Sequence, residues 1–297
     1  LNVKDVMDNS KLMSLAKYIE QMQYGQLKTV VTSNSSIFQI ESLGSFKRLN
    51  NNSEENAVFV FPTYMLNIAY AITFSKMADA IKSHSFYLGT FTNSKNYVQE
   101  FAKDLIKKAK KHSNIWLLGY SFGGSLAYEV AKIISDKGVR IKGIILLDSF
   151  FKENADNGYD SFIEDIKEPG KLRSFLEERF DFYRDLDTSL KDNIENCFFD
   201  FFEHTRSLEN KKKMLSTDIY YLRAEHQDLD VQDTRDMWQV GCSTSYIEYS
   251  AHGKHNDMLD FNNLGKNVKI INGILTAPES FSFIDDSVKI QTDLKEK

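Results

Sequence analysis

One stretch decides the fold: Trp116-Leu117-Leu118-Gly119-Tyr120-Ser121-Phe122-Gly123-Gly124-Ser125. An apolar run leads into Gly-x-Ser-x-Gly, and a helical pattern follows from Ser125 to Ile134. In this strand–turn–helix context the serine stands on a tight turn at the end of a strand. Gly119 and Gly123 have no Cβ, so the chain can close up on both sides of Ser121. The pattern predicts that Ser121 is a nucleophile; the alternative is a chance glycine turn.

Strands and helices alternate on both sides of this stretch. Continuous apolar runs predict buried parallel strands, and amphipathic patterns predict helices. We expect strands at 57–61, 85–89, 141–147, 218–224 and 244–249, edge strands at 37–40 and 46–49, and helices at 69–81, 97–111 and 268–275. The alternation predicts an α/β fold, a mostly parallel sheet with helices on both faces. Together with the Gly-x-Ser-x-Gly turn, it is typical of the α/β-hydrolase fold.

A helical insertion interrupts this alternation at about 153–213. Helices are expected at 161–167, 172–186 and 190–210, as a lid over the carboxyl ends of the strands, where ligands bind in open α/β sheets. Its aromatic residues form either the core of the insertion or a greasy acyl pocket. The residues that we predict to bind substrate are Phe175, Phe180, Tyr183, Phe198 and Phe202.

Composition excludes several functional classes. The 297 residues carry a net charge of −5, with a pI near 5.8, which gives no reason to expect nucleic acid as a partner. Two cysteines, Cys197 and Cys242, suit a reducing cytoplasm, and no Cys/His cluster has zinc-ligand spacing. The sequence has no signal peptide and no apolar run near 18 residues. We expect a monomeric cytoplasmic domain without a membrane partner, a metal or a permanently bound cofactor.

A serine hydroxyl needs a base to take its proton and an acid to orient that base. In α/β-hydrolases the order along the chain is Ser, acid, His, and the histidine follows the last strand. His252 and His255 both lie there, and spacing barely separates them.

The acid also has competing positions in the sequence. Asp148 follows the strand after the nucleophile, and Glu225 and Asp228 follow the next strand. Many α/β-hydrolases keep the acid at the later position, although the pattern somewhat favours Asp148. A carboxylate at a strand end can also be a solvated loop residue.

The two ends of the chain differ from its middle. An amphipathic helical pattern near residues 10–20 is typical of a helix packed on a domain, and the residues from Pro278 onward are polar. The chain starts with Leu1, and we expect it to be a piece of a longer protein. We expect a polar tail at 281–297, and we expect the chain from Pro278 onward to be mobile.

The sequence resembles the thioesterase domains that terminate nonribosomal peptide synthetases and related polyketide enzymes. The similarity runs from about Ala57 to Leu275, apart from the insertion. It rests on Gly119-Tyr120-Ser121-Phe122-Gly123-Gly124, Leu126-Ala127-Tyr128-Glu129, Leu146-Leu147-Asp148-Ser149 and His255-Asn256-Asp257-Met258-Leu259. Residues 1–26 resemble the last helices of a peptidyl or acyl carrier domain, which precedes the thioesterase in these proteins.

The resemblance implies roles for particular residues. Asp148 becomes the acid, His255 the base, and the insertion the lid of the family. The backbone amides of Phe122 and Tyr64 become the oxyanion hole, although Phe61-Pro62-Thr63-Tyr64 departs from the Pro-Pro or glycine-rich turn common there.

The resemblance also implies an organisation and a reaction. Residues 1–26 become a carrier remnant with its linker, and 27–280 the thioesterase domain. The chain would arrive as a thioester on the carrier's 4'-phosphopantetheine, move to Ser121 and leave by macrocyclisation or hydrolysis. Alternative interpretations are an editing thioesterase, a generic carboxylesterase with its acid at Asp228 or Glu225, and a non-catalytic binding module.

Overall fold

A computed structural model describes most of the chain. The described residues are 46–63, 67–90, 94–152, 164–179, 184, 188–210, 214–225, 238, 239, 241, 244–255, 257–276 and 288–291. The strands are β1 Phe46–Arg48, β2 Asn56–Phe61, β3 Ser85–Gly89, β4 Asn114–Tyr120, β5 Gly143–Leu147, β6 Asp218–Arg223, β7 Tyr246–Ser250 and β8 Val288–Gln291. The helices are α1 Asn67–Ala80, α2 Tyr97–Ala109, α3 Phe122–Asp136, α4 Lys171–Arg179, α5 Thr188–Ser207 and α6 Phe261–Thr276.

The described strands form one sheet in the order β1-β3-β2-β4-β5-β6-β7-β8. Its inner pairs are parallel, and the two outer pairs, β1 with β3 and β7 with β8, are antiparallel. Phe61 lies beside Gly119, and Tyr120 lies beside Leu147. The central strands therefore end together at one edge, and the loops that follow them meet there. This confirms the predicted α/β-hydrolase fold.

The apolar run of β2 shows how the helices cover both faces of the sheet. Its side chains alternate between faces, as strand geometry requires. Ala57, Phe59 and Phe61 pack into a core with α2 and α3, whereas Val58 and Val60 pack into a second core with α1 and α6. A strand buried on both faces has no polar side, which explains the absence of alternation in its sequence.

Most element boundaries fall within two or three residues of the predicted ones, but two helices begin earlier. The helix after the nucleophile begins at Phe122, directly after Ser121, rather than at Ser125. The last helix begins at Phe261 rather than at Val268, because Leu264 N–H already bonds to the carbonyl of Asp260. Its first turns are rich in Asn and Gly, which have low helix propensity, so packing decides this start.

Two predictions concern the ends of the chain. The expected tail includes β8, which pairs with β7 and extends the sheet, so residues 288–291 correct the prediction of a mobile tail. The expected strand at 37–40 and the carrier-like segment at 1–26 lie outside the described residues.

The insertion is helical where it is described, in agreement with the sequence. Ion pairs join α4 to α5, since Arg173 contacts both Asp192 and Glu195. Tyr97, at the start of α2, donates its hydroxyl hydrogen bond to the carbonyl of His204 in α5 at 3.0 Å. The insertion thus contacts the main domain at the start of α2, the helix that follows β3. None of the helices in the described parts is both long and apolar enough to cross a membrane.

Candidate active site

Ser121 occupies a strained turn between β4 and α3. Its φ is 52° and its ψ is −126°, a region that residues with a side chain rarely enter. The turn is held by the N–H of Ser121, which donates to the carbonyl of Leu147 at 3.0 Å. The conformation sets the serine at the carboxyl edge of the sheet, at the N-terminus of α3.

The two glycines of the motif make this turn possible. A Cβ on Gly119 would lie 2.3 Å from the backbone of Gly123, and a Cβ on Gly123 would lie 2.7 Å from the carbonyl oxygen of Phe61. Both distances are far inside van der Waals contact. The motif therefore needs glycine at both positions for a steric reason, and the prediction of a tight turn is confirmed.

A chain of hydrogen bonds joins Ser121, His255 and Asp148. The Nε2 of His255 lies 3.1 Å from the Oγ of Ser121, and its Nδ1 lies 2.7 Å from the Oδ2 of Asp148. Because the carboxylate only accepts, Nδ1 carries the proton and Nε2 accepts from the serine hydroxyl. This is the arrangement in which an imidazole takes a proton from a nucleophile.

Asp148 is fully buried beside β6. Its Oδ1 accepts from the N–H of Ala224 at 3.2 Å and from the hydroxyl of Tyr221 at 3.4 Å, which leaves Oδ2 facing His255. Its φ is 41°. Among the described residues, Ser121 and Asp148 are the two non-glycine residues with positive φ, so backbone strain is concentrated at this site.

The loop between β7 and α6 holds His255 in place. The side-chain amide of Asn267, in α6, donates to the carbonyls of His252 and Met258 at 2.8 and 2.7 Å, and its oxygen accepts from the N–H of His252 at 2.8 Å. The histidine thus lies between two segments that a single buried asparagine ties down.

The competing residues take other positions. The Nδ1 of His252 lies 3.8 Å from Glu225, and both side chains are about half exposed. Asp228 lies outside the described residues. Of the two histidines that the sequence left open, His255 is the one within hydrogen-bond reach of Ser121, and Asp148 is the carboxylate that contacts it.

One half of the predicted oxyanion hole is described. Phe122 is the first residue of α3, where main-chain N–H groups and the helix dipole favour negative charge. Tyr64 lies outside the described residues, although Thr63 before it is buried. The pairing of Phe122 and Tyr64 as oxyanion donors therefore stays a prediction.

The aromatic residues of the lid divide into two groups. Phe175 and Phe198 pack edge to face, with centroids 6.2 Å apart, and both contact the main core. For these two, the structure favours the interpretation as core residues. Phe180 and Tyr183 lie outside the described residues, and the side chain of Phe202 in α5 is also outside them. Their role in substrate binding stays a prediction.

The residues that support the site were not predicted from the sequence. Tyr221, Asn267 and Tyr120 bond to Asp148, to the His255 loop and to His255 itself. Only Tyr120 carried a signal, its position inside the motif. In the described parts of the chain, no group of three or more His, Cys, Asp or Glu side chains is arranged to hold a metal ion.

A mostly parallel sheet with a Ser–His–Asp hydrogen-bond chain at its carboxyl edge defines the α/β-hydrolase class. Within that class, the chain belongs to the thioesterase domain family, whose model matches residues 90–275. The match runs from just before α2 to the last turn of α6 and so includes the nucleophile turn, the insertion and the histidine loop.

Related sequences are peptide synthetases. Bacitracin synthase 3 of Bacillus licheniformis is 24% identical over 221 residues, which are 73% of this chain and 3% of that protein. Surfactin synthase subunit 3 of Bacillus subtilis (strain 168) is 23% identical over 225 residues, which are 74% of this chain and 16% of that protein. The chain thus spans a small part of the length of these relatives.

Solved structures share the fold. One is the thioesterase domain SrfTE, whose structure is described as the structural basis for cyclization of the lipopeptide antibiotic surfactin. Its TM-score is 0.62 at 21% identity, and the match covers 80% of this chain and 98% of that one. The Vlm2 thioesterase domain bound with a dodecadepsipeptide has a TM-score of 0.62 at 17% identity, covering 78% and 98%. Identities at this level show a common fold.

Proposed function

We propose that this chain is the chain-releasing thioesterase of a nonribosomal peptide synthetase, with Ser121 as nucleophile, His255 as base and Asp148 as the acid that orients it. The observation that carries the proposal is the pair of hydrogen bonds from His255, 3.1 Å to the serine Oγ and 2.7 Å to the aspartate Oδ2. Membership of the thioesterase domain family supports the same chemistry.

Loading forms the acyl-serine. His255 takes the Ser121 proton while Oγ attacks the thioester carbonyl, and the carbonyl oxygen becomes an oxyanion next to the start of α3. When the tetrahedral intermediate collapses, the C–S bond breaks and the imidazolium returns the proton to the leaving thiolate. The products are a free thiol and an ester on Ser121. Asp148 stabilises the imidazolium throughout.

Release of the chain from Ser121 uses the same base in a second proton transfer. An incoming nucleophile gives its proton to the Nε2 of His255 and attacks the ester carbonyl. Collapse breaks the bond to Oγ, which recovers the proton from His255. If the nucleophile is water, the product is a free acid. If it is an amine or hydroxyl of the same chain, the product is a macrocycle that is one water lighter than the acid.

Delivery of the substrate requires a second domain. The thiol that leaves in the loading step fits the phosphopantetheine arm of a peptidyl or acyl carrier domain, which the peptide-synthetase relatives support as a partner. The carrier-like residues 1–26 agree with this order of domains. The thioesterase itself needs no permanently bound cofactor for either step.

The test is to load a carrier domain with an acyl or peptidyl phosphopantetheine thioester, add the chain, and identify the released product by mass spectrometry. We expect release by the wild-type chain and none above background by Ser121→Ala. A p-nitrophenyl ester of the same acyl group, assayed in parallel, separates a generic esterase. If the ester is hydrolysed while every carrier thioester stays intact, the proposal is wrong.

A further inference from the structure

The residue between Gly119 and Ser121 is an aromatic one with two contacts to the base. Tyr120 is the last residue of β4, and 4% of it is exposed. Its hydroxyl donates a hydrogen bond to the main-chain carbonyl of His255. Its ring stacks on the imidazole, with centroids 5.1 Å apart and planes 27° apart. One side chain therefore contacts both the backbone and the ring of the same histidine.

These contacts hold a part of the histidine loop to which Asn267 does not bond. Asn267 bonds to the backbone of His252 and Met258, on either side of His255. Tyr120 bonds to the backbone of His255 itself, from the end of β4. Because Tyr120 directly precedes Ser121, the nucleophile and its base are linked through a single rigid strand end.

A second ring contacts the imidazole as well. The ring of Phe150 lies 5.4 Å from that of His255, with planes 41° apart. Aromatic rings packed next to an imidazole limit its rotation. Rotation matters here because the ring must keep Nδ1 on Asp148 and Nε2 on Ser121 at the same time.

The need for this support differs between the two halves of the proposed reaction. In the free chain, the Ser121 hydroxyl donates to Nε2 and helps to hold the ring. In the acyl-serine, Oγ is an ester oxygen without a proton, so that hydrogen bond is lost. The imidazole then depends on Asp148 and on its aromatic neighbours.

We propose that Tyr120 is a positioning residue for His255 whose contribution falls mainly on release of the chain from Ser121. The inference rests on the proposed function, since it takes Ser121 as nucleophile and His255 as base. The Tyr120 hydroxyl fixes the main chain of His255, and the ring fixes the plane of the imidazole, while the acyl-serine awaits its second nucleophile.

The experiment measures loading and release separately. The chain is mixed with the octanoyl thioester of N-acetylcysteamine, and intact-mass spectra of quenched samples give the rate at which acyl-Ser121 forms. Rapid gel filtration then removes the thioester, and decay of the adduct gives the release rate. The variants are Tyr120→Phe, which keeps the ring and removes the hydroxyl, and Tyr120→Leu, which removes both.

A matched control is Tyr128→Phe. Tyr128 is also buried, and its hydroxyl also donates to a main-chain carbonyl, that of Gly241 at 3.0 Å. This variant removes a hydrogen bond of the same kind without touching His255. Melting curves of all variants test whether they are folded at the assay temperature.

For Tyr120→Phe we expect the release rate to fall by about threefold to tenfold, which is the usual effect of losing one hydrogen bond. The loading rate should change by less than about twofold. Steady-state kcat and KM then fall together, with kcat/KM nearly unchanged. Tyr120→Leu slows release further, and Tyr128→Phe leaves both rates unchanged.

Two results would overturn this inference. If loading and release slow by the same factor in Tyr120→Phe, the residue has only a structural role. If release is unchanged in both Tyr120 variants, it has no role in positioning. If the wild-type chain neither forms an adduct on Ser121 nor turns over the thioester, the proposed function itself fails, which is distinct from either of these two results.

Discussion

Asn210 and Lys152 bond to each other where the helical insertion leaves the sheet and where it returns. The side-chain oxygen of Asn210 accepts from the N–H of Lys152 at 2.9 Å, and the N–H of Asn210 donates to the carbonyl of Lys152 at 2.6 Å. The Asn210 amide also donates to the carbonyl of Ser125 and to Glu129, both on α3. The base of the lid is thus fastened to the helix that follows the nucleophile.

Replacing Asn210 by Ala should therefore destabilise the fold. The change removes three hydrogen bonds, two of them buried, and leaves buried main-chain groups without their partners, so we expect the free energy of unfolding to fall by about 2–4 kcal/mol. Urea unfolding followed by fluorescence measures it. The matched control is Asn262→Ala, at an exposed position of α6, which should change stability by less than about 0.5 kcal/mol. Equal stabilities for the two variants would contradict this role of Asn210.

The identity of the acid can be tested by isosteric substitution. Asp148→Asn replaces an acceptor by an amide that favours the wrong imidazole tautomer, and we expect kcat for thioester hydrolysis to fall on the order of 10⁴-fold. Glu225→Gln is the control, because Glu225 contacts His252 and not His255. It should keep kcat within about twofold. If the chain tolerates Asp148→Asn but not Glu225→Gln, the acid lies in the loop after β6 and the assignment of Asp148 is wrong.

The sequence predicts the reactive residues because their chemistry and order leave a short list. Gly-x-Ser-x-Gly after an apolar strand defines the nucleophile, and the strand ends that follow hold few acids and histidines. The remaining choice between His252 and His255 depends on where one loop bends. Spacing does not carry that information, whereas the hydrogen bonds to Ser121 and Asp148 decide it.

The contacts that support the site could not be predicted from the sequence, for a different reason. Tyr120 and His255 are 135 residues apart, and Lys152 and Asn210 are 58 apart, so no periodic pattern relates them. These contacts arise only once the sheet has brought the strand ends together. The early start of α6 is similar, since packing outweighs the weak helix propensity of its first turns.

Glycine substitutions should act in opposite directions at two positions. A Cβ on Gly124 would lie 2.0 Å from the Oγ of Ser149, which donates to the carbonyl of Gly119 inside the turn. We expect Gly124→Ala to lower the free energy of unfolding by about 1–3 kcal/mol through overpacking.

The matched glycine change is Gly265→Ala in α6. A Cβ on Gly265 meets nothing within 4 Å, so Ala should raise stability by about 0.5–1 kcal/mol through its better helix propensity. Thermal melts of the two variants against wild type provide the comparison. If Gly124→Ala is more stable than wild type, the nucleophile turn has space for a Cβ at Gly124, contrary to the structure.

Burial of His84 makes stability depend on pH. Desolvation lowers the pKa of His84 to about 4, and its Nδ1 lies 2.8 Å from the Ser83 hydroxyl. The unfolded chain takes up this proton near pH 6.5, whereas the folded chain does not until about pH 4. The contribution of His84 is therefore complete above pH 6.5 and is lost as the pH falls toward 4.

The corresponding variant is His84→Gln, which stays neutral. Between pH 7 and pH 5, wild type should lose about 1 kcal/mol more stability than the variant, a value reduced for solvent screening. Urea unfolding at the two pH values measures the difference. Parallel losses in both proteins would mean that His84 is not held neutral by burial.

The central claim is that Ser121 becomes acylated by a thioester, and one measurement tests it most directly. The chain is incubated with N-acetylcysteamine thioesters of several acyl and peptidyl groups, quenched and digested, and the peptide that contains Ser121 is analysed by mass spectrometry. We predict an acyl adduct on Ser121 in the wild-type chain, and none at this site in His255→Ala. Turnover of a thioester that persists in Ser121→Ala, or an adduct on another residue, would contradict the account.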